Sequence, residues 1–367
     1  MNSFLSLATA GVQQLVPYVP GKPVEELQRE LGLTEIVKLA SNENPLGTGS
    51  KVAAAIQATL PELTRYPDGS GFALKAALSA KLGVLPQQIT LGNGSSEILE
   101  LVARTFLTAE HEVVFSQHAF ALYPILTQAV GAIAKPVPAK EFAHDLQAMR
   151  AAISENTRLV FIANPNNPTG TLLETDAVEA FVASLPRQVL CVLDEAYYEF
   201  VDPALRAESL DWPNRYPNLI IARTFSKAYG LAGLRIGYGI SSVDIADLLN
   251  RVRQPFNSNM LALAAAEAAL SDDDYLQQTL AVNKAGMAQL TAAFKTLDLK
   301  WIPSSGNFVA VDMNQPALPI YDALLRKGVI VRPVANYEMP HHLRISIGTE
   351  RENQIFIQAL NEVLRGV

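Results

Sequence analysis

Short hydrophobic runs alternate with turns and amphipathic segments through the middle of this 367-residue chain. The runs predict strands at 89–91, 112–115, 133–137, 159–163, 189–194 and 218–222. Helical segments, such as 97–106 and 176–183, lie between some of them. This alternation predicts an α/β fold with a mostly parallel sheet and helices on both faces. In such sheets the ligand lies beyond the carboxyl ends of the strands.

The pattern changes after about residue 251. Alanine-rich helices are predicted at 259–270 and 275–296, followed by strands at 301–311, 329–333 and 343–347 and helices at 319–327 and 351–364. Before residue 38, three prolines and a glycine between Val16 and Pro23 exclude regular structure there. We therefore predict an arm at 1–37 that packs with the small domain or a partner subunit, a large domain at 38–255 and a small α+β domain at 256–367.

Composition narrows the class of protein. Hydrophobic residues make up 49% of the chain and charged residues 18%, which is typical of a soluble globular protein. The net charge of -7 and the lack of a basic tract argue against nucleic-acid binding. Cys191 is the one cysteine, and the histidines lack ligand-like spacing, so no disulfide or metal site is predicted. No signal peptide or membrane span is predicted either, and we expect a cytoplasmic enzyme.

The segment from Arg223 to Tyr238 concentrates reactive side chains just after a predicted strand. Lys227 is followed by glycines that let a ligand approach the backbone closely, and Thr224 and Ser226 add hydroxyl groups. Arg235 adds a planar guanidinium suited to an oxyanion. A surface lysine in a mobile loop is the simpler interpretation of Lys227 alone. The combination instead indicates a site for an aldehyde that carries a phosphate.

Three other predicted strand ends carry polar groups. The first is the turn at 92–96, where a helix N-terminus, Ser95 and Ser96 could bind a phosphate. The second is the turn at 164–170, which could direct the amide of Asn167 into the crevice. Asp194 ends an apolar strand, and a carboxylate there is costly without a positive partner, although it could also cap the next turn. With Tyr197, it forms the environment that pyridoxal phosphate requires.

Two arginines near the C-terminus are candidate anion-binding groups. Leu343, Ile345 and Ile347 alternate with Arg344 and Ser346, so Arg344 points away from the core face. It is either an exposed arginine at a sheet edge or a bidentate partner for a substrate carboxylate. Arg332 is a weaker candidate of the same kind.

These motifs resemble the fold-type I pyridoxal-phosphate aminotransferases in order and spacing. Within that family the chain is similar to the histidinol-phosphate aminotransferases. The shared motifs are PYVPGKP at 17–23, LASNENP at 39–45, RYPDG at 65–69, GNGSS at 92–96 and LRISIG at 343–348. The resemblance runs from about Leu15 to the C-terminus.

The resemblance implies a role for each candidate residue. Lys227 would bond covalently to the cofactor aldehyde, Asp194 would pair with the ring nitrogen, and Tyr197 and Asn167 would hydrogen-bond the ring oxygen. Phe120 would stack on the ring, and the cofactor phosphate would be held by Ser95, Ser96, Thr224, Ser226, Arg235 and by Tyr66 from the other subunit of a homodimer. Arg344, Asn167, Tyr18, Asn44 and Arg332 would bind amino-acid and phosphorylated substrates.

The implied reaction converts imidazole acetol phosphate and glutamate into histidinol phosphate and 2-oxoglutarate, a step of histidine biosynthesis. Two substrates would share one pocket, which we expect to be locally positive despite the net charge of -7. Three alternatives remain open at this point. The chain could be an aromatic or broad-specificity aminotransferase, a decarboxylase similar to the threonine-phosphate enzymes, or a non-catalytic binding protein of the same fold.

Overall fold

The computed structural model of the chain describes residues 3–366. The strands are β1 Val37–Lys38, β2 Ile89–Gly92, β3 Glu112–Ser116, β4 Ile133–Val137, β5 Thr157–Ala163, β6 Leu190–Asp194, β7 Leu219–Thr224, β8 Gly237–Ser241, β9 Trp301–Ile302, β10 Phe308–Asp312, β11 Val329–Ile330, β12 Arg332–Pro333 and β13 His342–Ser346. The helices are α1 Ala10–Gln13, α2 Val24–Leu31, α3 Ser50–Thr59, α4 Phe72–Leu82, α5 Ser95–Phe106, α6 Leu122–Ala129, α7 Leu146–Ala151, α8 Thr175–Ser184, α9 Trp212–Arg215, α10 Val243–Val252, α11 Met260–Leu270, α12 Asp273–Thr296, α13 Ala317–Arg326 and α14 Glu350–Gly366.

The large sheet has seven strands in the order β2-β8-β7-β6-β5-β3-β4. The five strands β7, β6, β5, β3 and β4 run parallel to one another, and β8 is antiparallel to both β2 and β7. The predicted α/β fold is therefore confirmed. Strand β8 was not predicted, because Gly237 and Gly239 read as part of a flexible turn.

Helices cover both faces of this sheet, and alternate residues of each strand face opposite layers. In β5, Val160 and Ile162 join one hydrophobic cluster, whereas Leu159 and Phe161 join the other. Every residue of β6 and β7 is buried, which explains why these strands appear as continuous apolar runs.

A second, antiparallel sheet has the order β12-β13-β10-β9, and its core packs against α12, α13 and α14. Strand β1 pairs in parallel with β11 through Val37 and Val329. The predicted strand at 301–311 is divided into β9 and β10, and the one at 329–333 into β11 and β12. Helix α11 packs on α3 and α4 beside the large sheet. The domain boundaries remain a prediction.

The parallel strands of the large sheet have their carboxyl ends at one edge. The segment after β1 crosses that edge beside β13. This meeting point forms the cavity described below. Within residues 3–366, no helix is both long and apolar enough to cross a bilayer.

Candidate active site

A cavity of 270 Å³ lies beyond the carboxyl ends of β5, β6 and β7. The N-terminus of α5, the 40–43 segment, β12 and β13 complete its walls. The sequence-predicted residues that line it are Tyr18, Ser95, Ser96, Phe120, Asn167, Asp194, Tyr197, Thr224, Ser226, Lys227, Arg235, Arg332 and Arg344.

Lys227 lies just beyond β7, and its amine is buried in the cavity. Its Nζ donates a hydrogen bond to the carbonyl oxygen of Ser41 at 3.1 Å. Burial, followed by the positive charge of Arg344, lowers the pKa of Lys227 to about 8. A substantial fraction of this amine is therefore neutral near pH 8, and a neutral amine can act as a nucleophile and a base.

Asp194 is the last residue of β6, and its carboxyl group is buried. Tyr123, from α6, donates a hydrogen bond to Oδ2 at 2.9 Å, and the backbone N–H of Ala196 donates to Oδ1 at 3.2 Å. Burial raises the pKa of Asp194 to about 6 despite these donors. A cationic ring nitrogen would provide the partner that a buried carboxylate requires.

Tyr197 lies three residues after Asp194. Its hydroxyl accepts a hydrogen bond from Nδ2 of Asn42 at 2.9 Å. Burial raises the pKa of Tyr197 to about 12. Its hydroxyl is therefore protonated at neutral pH and can donate its proton to a ligand.

The wall of the cavity at the N-terminus of α5 carries several groups that can bind an anion. Helix α5 begins at Ser95, so its free N–H groups face the cavity together with the hydroxyls of Thr224 and Ser226. Nη1 of Arg235 donates to Oγ of Ser226 at 3.3 Å. A Cβ at Gly94, where φ is +77°, would lie 2.4 Å from Nη2 of Arg235, so only glycine leaves room for this guanidinium.

Arg344 projects from β13 into the cavity and is 6% exposed, so it is not an exposed arginine at a sheet edge. Nη1 donates to Oδ1 of Asn167 at 2.6 Å, and Nη2 donates to the carbonyl of Ala40 at 2.7 Å. Its buried Nε has no hydrogen-bond partner. Burial lowers the pKa of Arg344, because the guanidinium loses hydration without gaining a carboxylate partner.

Arg332 lies opposite Arg344 in the β12–β13 register. Its Nη2 donates to the carbonyl of Val19 at 2.7 Å, and its guanidinium lies 5.6 Å from the centre of the Tyr18 ring. Across the described range 3–366, no carboxylate oxygen lies within 4.0 Å of a nitrogen of Lys227, Arg235, Arg332 or Arg344. The carboxylates in the cavity lining are Asp194 and Glu43, so the cavity carries excess positive charge.

The structure does not bring two predicted residues into the cavity lining. Tyr66 is 81% exposed and stacks on Phe256 with 4.8 Å between the ring centres. Asn44 lies outside the cavity lining, and its amide donates to the carbonyl of Ala228 and to Oγ1 of Thr279. These bonds occupy both amide hydrogens of Asn44, so it is placed to brace the loop after Lys227. Within residues 3–366, no group of three or more histidine, cysteine or acidic side chains could hold a metal ion.

Comparisons with known proteins agree with this geometry. The family model of class I and II aminotransferases matches residues 34–360. The chain belongs to this family. It is 61% identical to histidinol-phosphate aminotransferase 2 of Pseudomonas fluorescens over 365 residues, which cover 99% of both chains. It is also 61% identical to histidinol-phosphate aminotransferase 1 of Nitrosococcus oceani over 98% of both chains.

Solved structures extend the comparison. The crystal structure of histidinol-phosphate aminotransferase from Sinorhizobium meliloti in complex with pyridoxal-5'-phosphate matches with a TM-score of 0.92 and 33% identity. The match covers 98% of this chain and 97% of that one. Aspartate aminotransferase from Thermus thermophilus shares the fold at a TM-score of 0.84 and 21% identity. The resemblance inferred from the motifs is thereby confirmed.

Sequence analysis of this aminotransferase missed two residues of the site. Asn42 is 1% exposed and contacts Tyr197, and Tyr123 is buried against Asp194 and stacks on Phe161. Asn42 lies inside the LASNENP motif, and a search for polar groups that must satisfy each other would have drawn attention to it. Tyr123 has no such signal, because it reads as one more apolar position of α6.

Proposed function

We propose that this aminotransferase converts imidazole acetol phosphate and L-glutamate into L-histidinol phosphate and 2-oxoglutarate, in histidine biosynthesis. The observation that carries this proposal is that the curated relatives at 61% identity over nearly the whole chain bear the histidinol-phosphate aminotransferase name. The cavity supports it, because a reactive amine and several guanidinium groups without acidic partners line the same space.

Pyridoxal 5'-phosphate is the proposed cofactor, and the residues fit it. Lys227 offers an amine for the aldehyde, and Asp194 offers a buried carboxyl for the ring nitrogen. Tyr197 and Asn167 would hydrogen-bond the ring oxygen, and Phe120 would pack on the ring. Ser95, Ser96, Thr224, Ser226 and Arg235 would hold the phosphate at the N-terminus of α5. When bound, the cofactor withdraws electrons from the α-carbon of the substrate.

Lys227 would move the proton at the substrate α-carbon. Its lowered pKa suits this task, because the amine must be neutral to accept that proton. Asp194 would keep its partner cationic once it is ionised, and Tyr123 and Ala196 stabilise the ionised form by donating hydrogen bonds. Residues 40–42 and Asn167 line the cavity beside these groups.

Substrate anions would bind at the other end of the cavity. Arg344 would capture the carboxylate of glutamate, since its Nε has no protein partner and Asn167 orients the guanidinium. Arg332 and Tyr18 would meet the side-chain carboxylate of glutamate. Histidinol phosphate has no carboxylate, so Arg344 would bind its phosphate where it binds the carboxylate of glutamate. A guanidinium binds both oxyanions, which lets one pocket serve both substrates.

A homodimer is part of the proposal. Tyr66 is exposed and held by its stacking on Phe256, so it is available to reach the cavity of a second copy. Its hydroxyl would add one donor to the phosphate site. A Tyr66→Phe variant that releases cofactor more readily, without a change in dimer stability, would support this role; unchanged cofactor affinity would contradict it.

A half-reaction tests the proposed substrate directly. Purified holoenzyme is mixed with histidinol phosphate, and in parallel with phenylalanine, while the absorbance of the cofactor is followed. Fast conversion by histidinol phosphate alone supports the proposal. A preference for phenylalanine would favour an aromatic aminotransferase, release of carbon dioxide would favour a decarboxylase, and full turnover by Lys227→Ala would overturn the catalytic assignments.

A further inference from the structure

The segment from Leu39 to Asn42 connects the groups of the cavity to one another. Its carbonyls accept hydrogen bonds from Lys227, at Ser41, and from Arg344, at Ala40. Its one side chain that bonds a proposed catalytic group is that of Asn42, which donates to the hydroxyl of Tyr197 at 2.9 Å. The segment therefore joins the amine, the guanidinium and the phenol without being part of the large sheet.

Asn42 is held from the side of the small sheet. Its N–H donates to Oγ of Ser346 at 2.7 Å, and that hydroxyl donates back to Oδ1 of Asn42 at 3.1 Å. Nδ2 of Asn307 donates to the carbonyl of Asn42 at 3.0 Å. The backbone of Asn42 has a φ of +53°, a conformation that asparagine tolerates better than most side chains. These bonds leave the amide one orientation, with Nδ2 directed at Tyr197.

The bond sets the direction of the phenol proton. A tyrosine hydroxyl has one proton to donate, and Asn42 can only donate from Nδ2, so Tyr197 must accept from it. The proton of Tyr197 is thereby directed away from Asn42. Burial favours the protonated phenol, so the proton is present at neutral pH.

We infer that Asn42 is a positioning residue, which fixes Tyr197 as a hydrogen-bond donor to the cofactor's ring oxygen. This inference rests on the proposed function, since it requires the ring oxygen to lie near Tyr197. Because Ser346 and Arg344 project from the same strand, β13, the orientation of Tyr197 is tied to the strand that carries the proposed substrate-binding arginine.

The test is the pH titration of the absorbance of bound cofactor, compared between wild type, Asn42→Gly and Asn42→Asp. Both variants tolerate the positive φ. Asn42→Gly removes the donor, and Asn42→Asp replaces it with an acceptor that draws the phenol proton away. A donor at the ring oxygen stabilises the deprotonated chromophore, so its loss raises the titration midpoint. We expect a rise of about one pH unit, larger in Asn42→Asp than in Asn42→Gly.

A double-mutant cycle separates positioning from a general structural role. In a Tyr197→Phe background, Asn42→Gly should leave the midpoint unchanged, because the hydroxyl through which it acts is absent. Asn42→Asp also adds a carboxylate to the site, so the rise that it keeps in this background measures the effect of that charge alone. Ser346→Ala provides a milder variant if the Asn42 variants fold poorly, and a smaller rise is expected. Unchanged midpoints, or a rise with Asn42→Gly that persists in the Tyr197→Phe background, would overturn the inference. A wild type without cofactor absorbance would instead overturn the proposed function.

Discussion

Arg344 and Asn167 are joined by a hydrogen bond of 2.6 Å from Nη1 to Oδ1, across the boundary between the small sheet and the loop after β5. The two residues lie 177 positions apart in the chain. Because Asn167 accepts from Nη1 and the carbonyl of Ala40 accepts from Nη2, the orientation of the guanidinium is set before a substrate binds. A preoriented guanidinium loses little freedom when it binds an oxyanion.

Replacing Arg344 with alanine should raise KM for both glutamate and histidinol phosphate. We expect kcat/KM to fall by about 100-fold for each substrate, since a buried charged contact is lost. Steady-state kinetics with both substrates measures this. Arg251→Ala is the matched control, because Arg251 is 70% exposed and pairs with Asp247 on the surface of α10. Unchanged KM values for both substrates would remove Arg344 from the proposed site.

The strands of the large sheet could be predicted because the signal is local. Strands β5, β6 and β7 are buried on both faces, so nearly every position is apolar and the run is visible in the sequence. Helix α11 was predicted from 259, one residue early, since Asn259 is its N-cap and accepts from the N–H of Ala262. The lysine loop was visible for a similar reason, as its reactive groups lie within a few positions of one another.

Contacts between residues far apart in the chain produce no such local pattern in the sequence. Asn42 and Tyr197 are 155 positions apart, and Tyr123 and Asp194 are 71 apart, so neither pair produces a periodic pattern. Alternation along β13 predicted that Arg344 points away from the hydrophobic core. Whether its face of the strand is exposed to solvent depends on where the 39–42 segment packs, and the sequence around Arg344 does not show this. Strand β8 escaped prediction because glycine is unfavourable in strands unless another backbone approaches closely.

Lys227 should react with the cofactor aldehyde in a pH-dependent way in the apoprotein. Its pKa is lowered to about 8, so the neutral, nucleophilic amine predominates above that pH. The rate of absorbance change after mixing with pyridoxal phosphate should rise with pH and level off above about 8. A free lysine derivative in solution should show the same rise near pH 10.4 instead, roughly its unperturbed value. A midpoint near that of the free amine would contradict the burial of Lys227.

Gly237 should be intolerant of a side chain. It pairs with Thr224 in the sheet, and a Cβ there would lie 2.3 Å from the backbone nitrogen of Ser95. Gly237→Ala should displace the start of α5 and cost about 1–3 kcal/mol of stability. Cofactor affinity should fall as well, because the N–H groups of α5 move. Gly233→Ala is the control, since a Cβ there meets no atom within 4 Å. Thermal unfolding and cofactor titration compare the two variants.

Arg223 and Glu195 form a buried ion pair behind the site, with 2.7 Å from Nη2 to Oε2 and both side chains 3% exposed. Ser209 donates to the other carboxylate oxygen, and the Arg223 guanidinium stacks over Tyr198. Arg223→Met should cost about 3–5 kcal/mol in denaturant unfolding, since it leaves a buried carboxylate unpaired. Adding Glu195→Gln should recover part of that loss. Arg351→Met, which breaks an exposed pair with Glu35, should change stability little. Equal effects of the two arginine variants would show that burial does not govern this pair.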